Sequence, residues 1–211
     1  MLPYEPKFPE EQSDIKELLE KRNISSQTVA DFLKDHPHMY FGTADLTKDF
    51  ARIILYSARI GQDKLAIFIA QEFSNEIDMG SLLFDVISLG VDVMIVDKIL
   101  DLYKLPYSRN DKIPPIKIFQ QTLKHIYKSN NTEWYELFEN DEKFINSFTS
   151  QDFDSMFHFI LRNVMFSSQV VEAMKRLYKY ESFLKEMTRV ASKDVDILKK
   201  YFPEASDIFL F

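Results

Sequence analysis

The stretch Ser57–Phe73, SARIGQDKLAIFIAQEF, decides how this chain is read. Apolar residues lie on both sides of Gly61-Gln62-Asp63, so the segment is either one interrupted helix or two helices folded back on each other. Upstream, Phe50, Ile53, Ile54, Ser57 and Ala58 keep the i, i+3, i+4, i+7, i+8 spacing of a single helical face. Gly61 suits a helix C-terminus, because glycine enters the left-handed region without a Cβ penalty. Asp63 is placed to cap the second helix. Leu65 and Ile69, with Phe68 and Phe73, form a second apolar face. The stretch predicts two helices joined by a tight turn at 61–63, with Ser57 and Ala58 small enough to let a neighbouring helix approach closely.

The same plan recurs downstream. In SLLFDVISLGVDVMIVDKILDLYKLP, Ser81 is the expected cap and Gly90 the terminator. Asp92 is the next cap, and Ile95, Ile99, Leu102 and Tyr103 continue a second helix until Pro106. A slide of 29 residues superposes Gly90 on Gly61, Asp92 on Asp63, and Leu82, Leu83, Phe84 and Leu89 on Ile53, Ile54, Leu55 and Ile60. A shared period of that size suggests stacked supersecondary units.

Further outward, residues 1–12 carry three prolines and read as an extended lead-in. SDIKELLEKRN and SSQTVADFLKDHP make an antiparallel helix pair. Ser13 and Ser25 or Ser26 are the caps, Ile15, Leu18, Leu19, Val29, Phe32 and Leu33 point inward, and Pro37 is the stop. Pro115 starts a helix in which Phe119, Leu123, Ile126 and Tyr127 face inward. After the Asn130-Asn131 break a further helix carries Trp134, Leu137 and Phe138. SQDFDSMFHFILRNVMFSSQVVEAMKRLYKY is a fourth helix–break–helix, with Phe153, Met156, Phe157 and Ile160 on its first helix. Ser167 or Ser168 caps its second helix. Asn130 and Asn163 stand 33 positions apart, close to the earlier period. Two last helices, ESFLKEMTRVA and SKDVDILKKYF, precede an apolar tail, ASDIFLF, expected to be docked.

The segments from about 49 to 104 resemble degenerate ankyrin repeats. IILYSARIGQDKLAIFIAQEF is similar to that family's first helix, Ala-x-x-Gly turn and second helix. LLFDVISLGVDVMIVDKILDLY is similar again, with one extra residue after Gly90. The family's Thr-Pro-Leu-His opening and its Gly-Ala-Asp type of loop are absent from both, so no contact positions are carried over. Residues 117–140 and 154–178 share the helix–turn–helix layout alone. The resemblance implies a helical solenoid that binds another protein on its concave surface or loop tips. The expected fold is therefore all-α: antiparallel helical hairpins stacked as an ankyrin-like α-solenoid, or an irregular helical domain. It is expected as a single domain over 13–211.

Composition narrows the function classes. Of 211 residues 45% are hydrophobic, with 19 Phe and 10 Tyr, and only four are Gly, which disfavours a turn-rich sheet protein. There is no Cys, which excludes a disulfide framework, a thiolate nucleophile and a Cys-type zinc site. A net charge of −7 repels phosphate backbones, so nucleic acid is not an expected partner. The opening residues lack the basic and apolar regions of a secretory signal, and no apolar run reaches the length of a membrane span. The expectation is an intracellular protein. Richness in Lys, Asn, Ile and Phe suits an AT-rich genome and raises the reading of a pathogen or viral protein acting on host proteins, delivered into a host cell.

No motif names a reaction. There is no phosphate-cradling glycine loop and no Gly-x-Ser-x-Gly elbow. His36 and His38 could seed a metal site, yet no carboxylate pair sits at helical spacing beside them, so a structural or surface role is preferred. His125 and His158 lie on first helices of two candidate hairpins and could approach each other, with core or rim positions preferred over ligation. Asp152/Asp154 and Glu10/Glu11 read as helix-start acids. Lys175–Tyr180, KRLYKY, reads as a solvated helix face rather than a nucleic-acid strip. Trp134 and Tyr135, after the Asn-Asn turn, are either buried or exposed anchors for a partner. Phe211 is either a recognition element or part of a cap over the last helix. The sequence thus points to a non-enzymatic protein-interaction module without cofactor or metal. The alternatives are a helical enzyme with a site assembled from scattered His and acidic residues, or a subunit of a larger assembly.

Overall fold

The computed structural model describes residues 13–21, 24–36, 46–103, 113–129, 131–163, 165, 167–191, 196 and 200. These residues are all-α: eleven α-helices and two short 3-10 helices, with no strand among them. Contacts gather into two compact units, Met1–Ile113 and Pro114–Phe211.

The first unit holds α1 (Ser13–Glu20), α2 (Ser26–Asp35), α3 (Leu46–Arg59), α4 (Asp63–Glu72), α5 (Met79–Leu89) and α6 (Val93–Leu100). Consecutive helices pair as hairpins: α1 with α2, α3 with α4, and α5 with α6. The hairpins also stack, since α3 packs on α5, and α4 packs on both α2 and α6. Two turns fix this arrangement. Gly61 and Gly90 have φ of 76° and 73°, the left-handed conformation that favours glycine. In each case the next N–H reaches back five residues. Gln62 donates to the Ser57 carbonyl at 2.8 Å and Val91 to the Val86 carbonyl at 3.0 Å. That bond closes a Schellman turn and satisfies an end carbonyl of the helix.

The same bond recurs in the second unit, where the Met165 N–H donates to the Ile160 carbonyl at 3.0 Å. Counting back from these three bonds gives one buried pattern. Phe50, Met79 and Phe153 are equivalent, as are Ile53, Leu82 and Met156, and Ile54, Leu83 and Phe157. Ser57, Val86 and Ile160 complete it, and all twelve are buried. Counting forward from the N-caps Gln62, Asp92 and Ser167 gives another: Leu65, Ile95 and Val170; Ala66, Val96 and Val171; Ile69, Ile99 and Met174. The one-residue difference between the α3–α4 and α5–α6 hairpins is Val91, which lies between Gly90 and the cap Asp92. In the α3–α4 hairpin Gln62 both closes the turn and stands at the N-cap.

The second unit holds α7 (Pro115–Ser129), a 3-10 helix at Thr132–Tyr135, α8 (Glu142–Asn146), α9 (Ser150–Arg162), α10 (Ser168–Arg176), a 3-10 helix at Leu177–Lys179 and α11 (Glu181–Ala191). Helix α9 lies against α7 and α11, α10 against α7 and the first 3-10 helix, and α8 against α11. Its core is a chain of phenylalanine rings. Phe119 meets Phe138, Phe148 and Phe183 at centroid distances of 5.7, 5.6 and 6.3 Å. Phe138 stacks on Phe144 at 4.3 Å, and Phe153 meets Phe148 and Phe183 at 5.9 and 5.3 Å.

Several local expectations are revised. Asp78, not Ser81, caps α5, accepting from the Ser81 N–H at 2.6 Å, so the helix starts at Met79. Asp63 is the first residue of α4, where its charge favours the positive helix end. The N-cap is Gln62, whose side chain is drawn away to donate to the Leu19 carbonyl at 2.8 Å. Helix α6 ends at Leu100 instead of running to Tyr103. Residues 132–139 do not form a full helix. Their apolar set, Trp134 to Phe138, spans little more than one turn. Asn131 and Asp141 flank it, accepting from the backbone N–H groups of Glu133 and Phe144 and so anchoring their own starts. Tyr127, expected to face inward, is 44% exposed. Ser25, Asp92 and Ser167 cap as expected, and Pro115 opens α7. The lead-in 1–12, Pro37, His38, Asn130 and the tail with Phe211 lie outside the described residues. The expected helix 192–202 is described at Asp196 and Lys200, both helical.

Candidate functional site

In the first unit α3 packs on α5 and α4 on α6, and the α3–α4 and α5–α6 hairpins are each joined by a left-handed glycine turn. Gln62 ties the second turn to the first through the Leu19 carbonyl, and the Tyr56 hydroxyl donates to the Glu20 carboxylate beside it. The exposed side chains at these turns are mixed. Lys21, Asp63, Lys64 and Asp92 are charged and exposed. Ile60 is 38% exposed and Met94 67% exposed. Ile60 closes the C-terminal side of one tip, and Met94 opens the N-terminal turn of α6 in the next. A methionine thioether left in water is costly in apolar area and adaptable in shape, a combination suited to docking.

The residues singled out from sequence are distributed differently. Trp134 is 3% exposed and Tyr135 7%, so both take the buried alternative and neither offers an open anchor. Trp134 packs on the His125 ring at 4.2 Å. The Arg176 guanidinium lies 5.2 Å from the Tyr135 ring centroid and pairs with Glu139 at 3.2 Å. Burial raises the Tyr135 hydroxyl above its ordinary pKa, the Glu172 charge adds to this and Arg176 opposes it. His158 is exposed on α9, with Nδ1 2.8 Å from the Asp154 carbonyl, and His36 makes the same contact to Phe32 at 2.8 Å. Each of these histidines is thus engaged locally, by its own helix or a neighbouring ring. Among the described residues no group of three His, Asp or Glu side chains is gathered so as to hold a metal ion. No helix among them is long and apolar enough to cross a membrane.

The second unit contains a feature the sequence did not announce. A pocket of about 320 Å³ opens where α8, the start of α9 and α11 converge. Ile145, Phe148 and Phe153 form its apolar lining. Around them, Ser182 donates to the Asn146 side chain at 2.7 Å and Ser150 to Glu186 at 3.1 Å. Arg189 holds the wall by bonding Glu186 at 2.7 Å, the Ser150 carbonyl at 3.0 Å and Asp154 at 3.4 Å. Its pKa is raised, chiefly by the hydrogen bond to Glu186, against the opposing effect of burial. Each lining residue has an ordinary local role in the sequence, such as Thr149 in its capping box with Asp152, so nothing in the pattern marks them as a set. Compared with known protein families, curated proteins and solved structures, the chain gives no match.

Proposed function

We propose that the protein is a non-enzymatic interaction module whose first unit docks another protein through its hairpin tips. The observation that carries this reading is the pair Ile60 and Met94, 38% and 67% exposed beside the turns of two hairpins that pack on each other. Large apolar side chains left in water on a rigid edge make good docking points. The ankyrin-like resemblance of residues 49–104 supports protein binding in general and assigns no contact positions. An acidic chain of net charge −7 is ill suited to phosphate backbones, so the partner in this proposal is a protein. An intracellular setting, on the cysteine-free composition, and action on host proteins belong to the same proposal.

The test is affinity capture from a lysate of the source or host cell, with the double variant Ile60→Asp/Met94→Asp run in parallel. Its far-UV circular dichroism should match the parent, since both positions are exposed. Partners captured by the parent and lost by the variant support the reading. A partner retained equally by both removes the tips from it.

A further inference from the structure

We infer that the pocket between α8, α9 and α11 receives an aromatic side chain carried next to an acidic residue in a segment of the partner protein. The inference rests on the interaction-module reading and adds a recognition chemistry to it. Three observations support it. The first is where the aromatic core surfaces. Phe148 contacts Phe119, Phe144 and Phe153 at 5.6, 5.4 and 5.9 Å, yet it stays half-exposed and lines the opening. An incoming ring would extend a cluster already built on tilted and edge-to-face contacts, the geometry aromatic pairs favour.

The second is size. A cavity of about 320 Å³ has room for an aromatic ring together with its flanking backbone, at the lower end of the range of ligand pockets. The third is charge. Of the two ionic groups on the rim, Glu186 is already engaged by Arg189 at 2.7 Å and by the Ser150 hydroxyl. Lys185 also lines the opening, and it makes no hydrogen bond or ion pair among the described residues. Its ammonium is the unanswered charge at the mouth, so a carboxylate flanking the ring completes the site. A basic flank would meet Lys185 as a like charge.

Blocked dipeptides test this on the full chain by amide-resolved NMR: acetyl-Asp-Phe-amide, acetyl-Lys-Phe-amide and acetyl-Asp-Ala-amide. Acetyl-Asp-Phe-amide should give saturable shifts confined to residues 145–153 and 182–186. The lysine peptide should bind about threefold more weakly, the weight of one exposed ion pair, and the alanine peptide should not saturate. Lys185→Glu should reverse the preference between the two phenylalanine peptides. Shifts elsewhere only, or a preference unmoved by Lys185→Glu, overturn the inference. Ser182→Trp, which fills the mouth from an exposed position, separates it from the reading on which it rests. Capture lost in Ser182→Trp but retained in Ile60→Asp/Met94→Asp keeps the pocket and discards the tips. Capture retained in Ser182→Trp and lost in the tip variant discards the pocket and keeps the module.

Discussion

Where the first unit buries Ile54 and Leu83, one helical turn ahead of the carbonyl that accepts its turn-closing bond, the second buries Phe157; where the first buries Ser57 and Val86, the second buries Ile160. The backbone bond that sets this register is the same at all three helix ends. What surrounds it is not. The first unit fills its interior mainly with Leu, Ile, Val and Ala, with α3 packed on α5 and α4 on α2 and α6. Among the described residues the second adds six buried Phe to an interior otherwise also mostly aliphatic, against two buried Phe in the first, and its elements include a five-residue helix and two 3-10 helices. The turn therefore fixes the phase of each hairpin, while side-chain volume fixes how regularly hairpins can stack. Small buried residues such as Ala66 and Ala70 let helices approach at repeated spacing. Rings with preferred tilts require each segment to be placed individually, and Phe148 is left half-open at the edge.

The largest effect is expected from removing one side chain from each core. Phe183→Ala, in the second unit, should cost about 4 kcal/mol, and Leu83→Ala, in the first, about 3 kcal/mol, measured by urea unfolding. Both side chains are fully buried, so the order follows from the larger ring and its contacts with Phe119, Phe153 and Tyr178. A greater loss for Leu83→Ala would place the denser packing in the aliphatic unit and undo the contrast.

Gly61→Ala isolates the turn. A Cβ there meets nothing within 4 Å, so the whole effect comes from forcing alanine to φ of 76°. The expected loss is about 1 to 2 kcal/mol by thermal or urea unfolding. A neutral result would mean that the turn does not need the left-handed conformation.

Ser57→Val tests the register itself. The Ser57 hydroxyl is buried without a hydrogen-bond partner at a position where the equivalent helix ends carry Val86 and Ile160. An unsatisfied buried hydroxyl is unfavourable, so valine should stabilise the protein by up to about 1 kcal/mol. A loss of that size would contradict the equivalence of the three sites.

The smallest effect is expected at Tyr135. Burial raises the pKa of its hydroxyl above 10.0, with Glu172 adding and Arg176 opposing. The folded state therefore holds this proton more tightly than the unfolded chain. The associated stability is complete below pH of about 10 and is lost as pH rises through the raised value. Tyr135→Phe should flatten the alkaline decline of Tm above pH of about 10 without changing it at neutral pH. An unchanged alkaline slope would remove Tyr135 from the account.

Much of the first unit was legible in sequence because its determinants are local. Gly61 and Gly90 announce left-handed ends, Asp92 announces a cap, and the 29-residue slide aligns Ile53 with Leu82 and Ile54 with Leu83, all four buried, while it sets buried Leu55 on half-buried Phe84 and exposed Ile60 on half-buried Leu89. Local reading failed where a competing partner was distant. Gln62 at the α4 N-cap spends its side chain on Leu19, which lies 43 residues away. It also failed where one short apolar set fell between two capping residues, at 131–141. The tips were half legible: the turns could be placed, but not the exposure of Met94. The pocket was not legible at all. It joins residues 145–153 to residues 182–186, and only the packing of α8 and α9 against α11 brings them together.

The most direct test of the account is an NMR search for contacts across the stacked hairpins of the first unit. The account predicts methyl–methyl NOEs from Ile53 and Ile54 on α3 to Leu82, Leu83 or Val86 on α5, with helical connectivities broken at Gly61 and at Gly90. Connectivities running unbroken through either glycine, without contacts between α3 and α5, would contradict it.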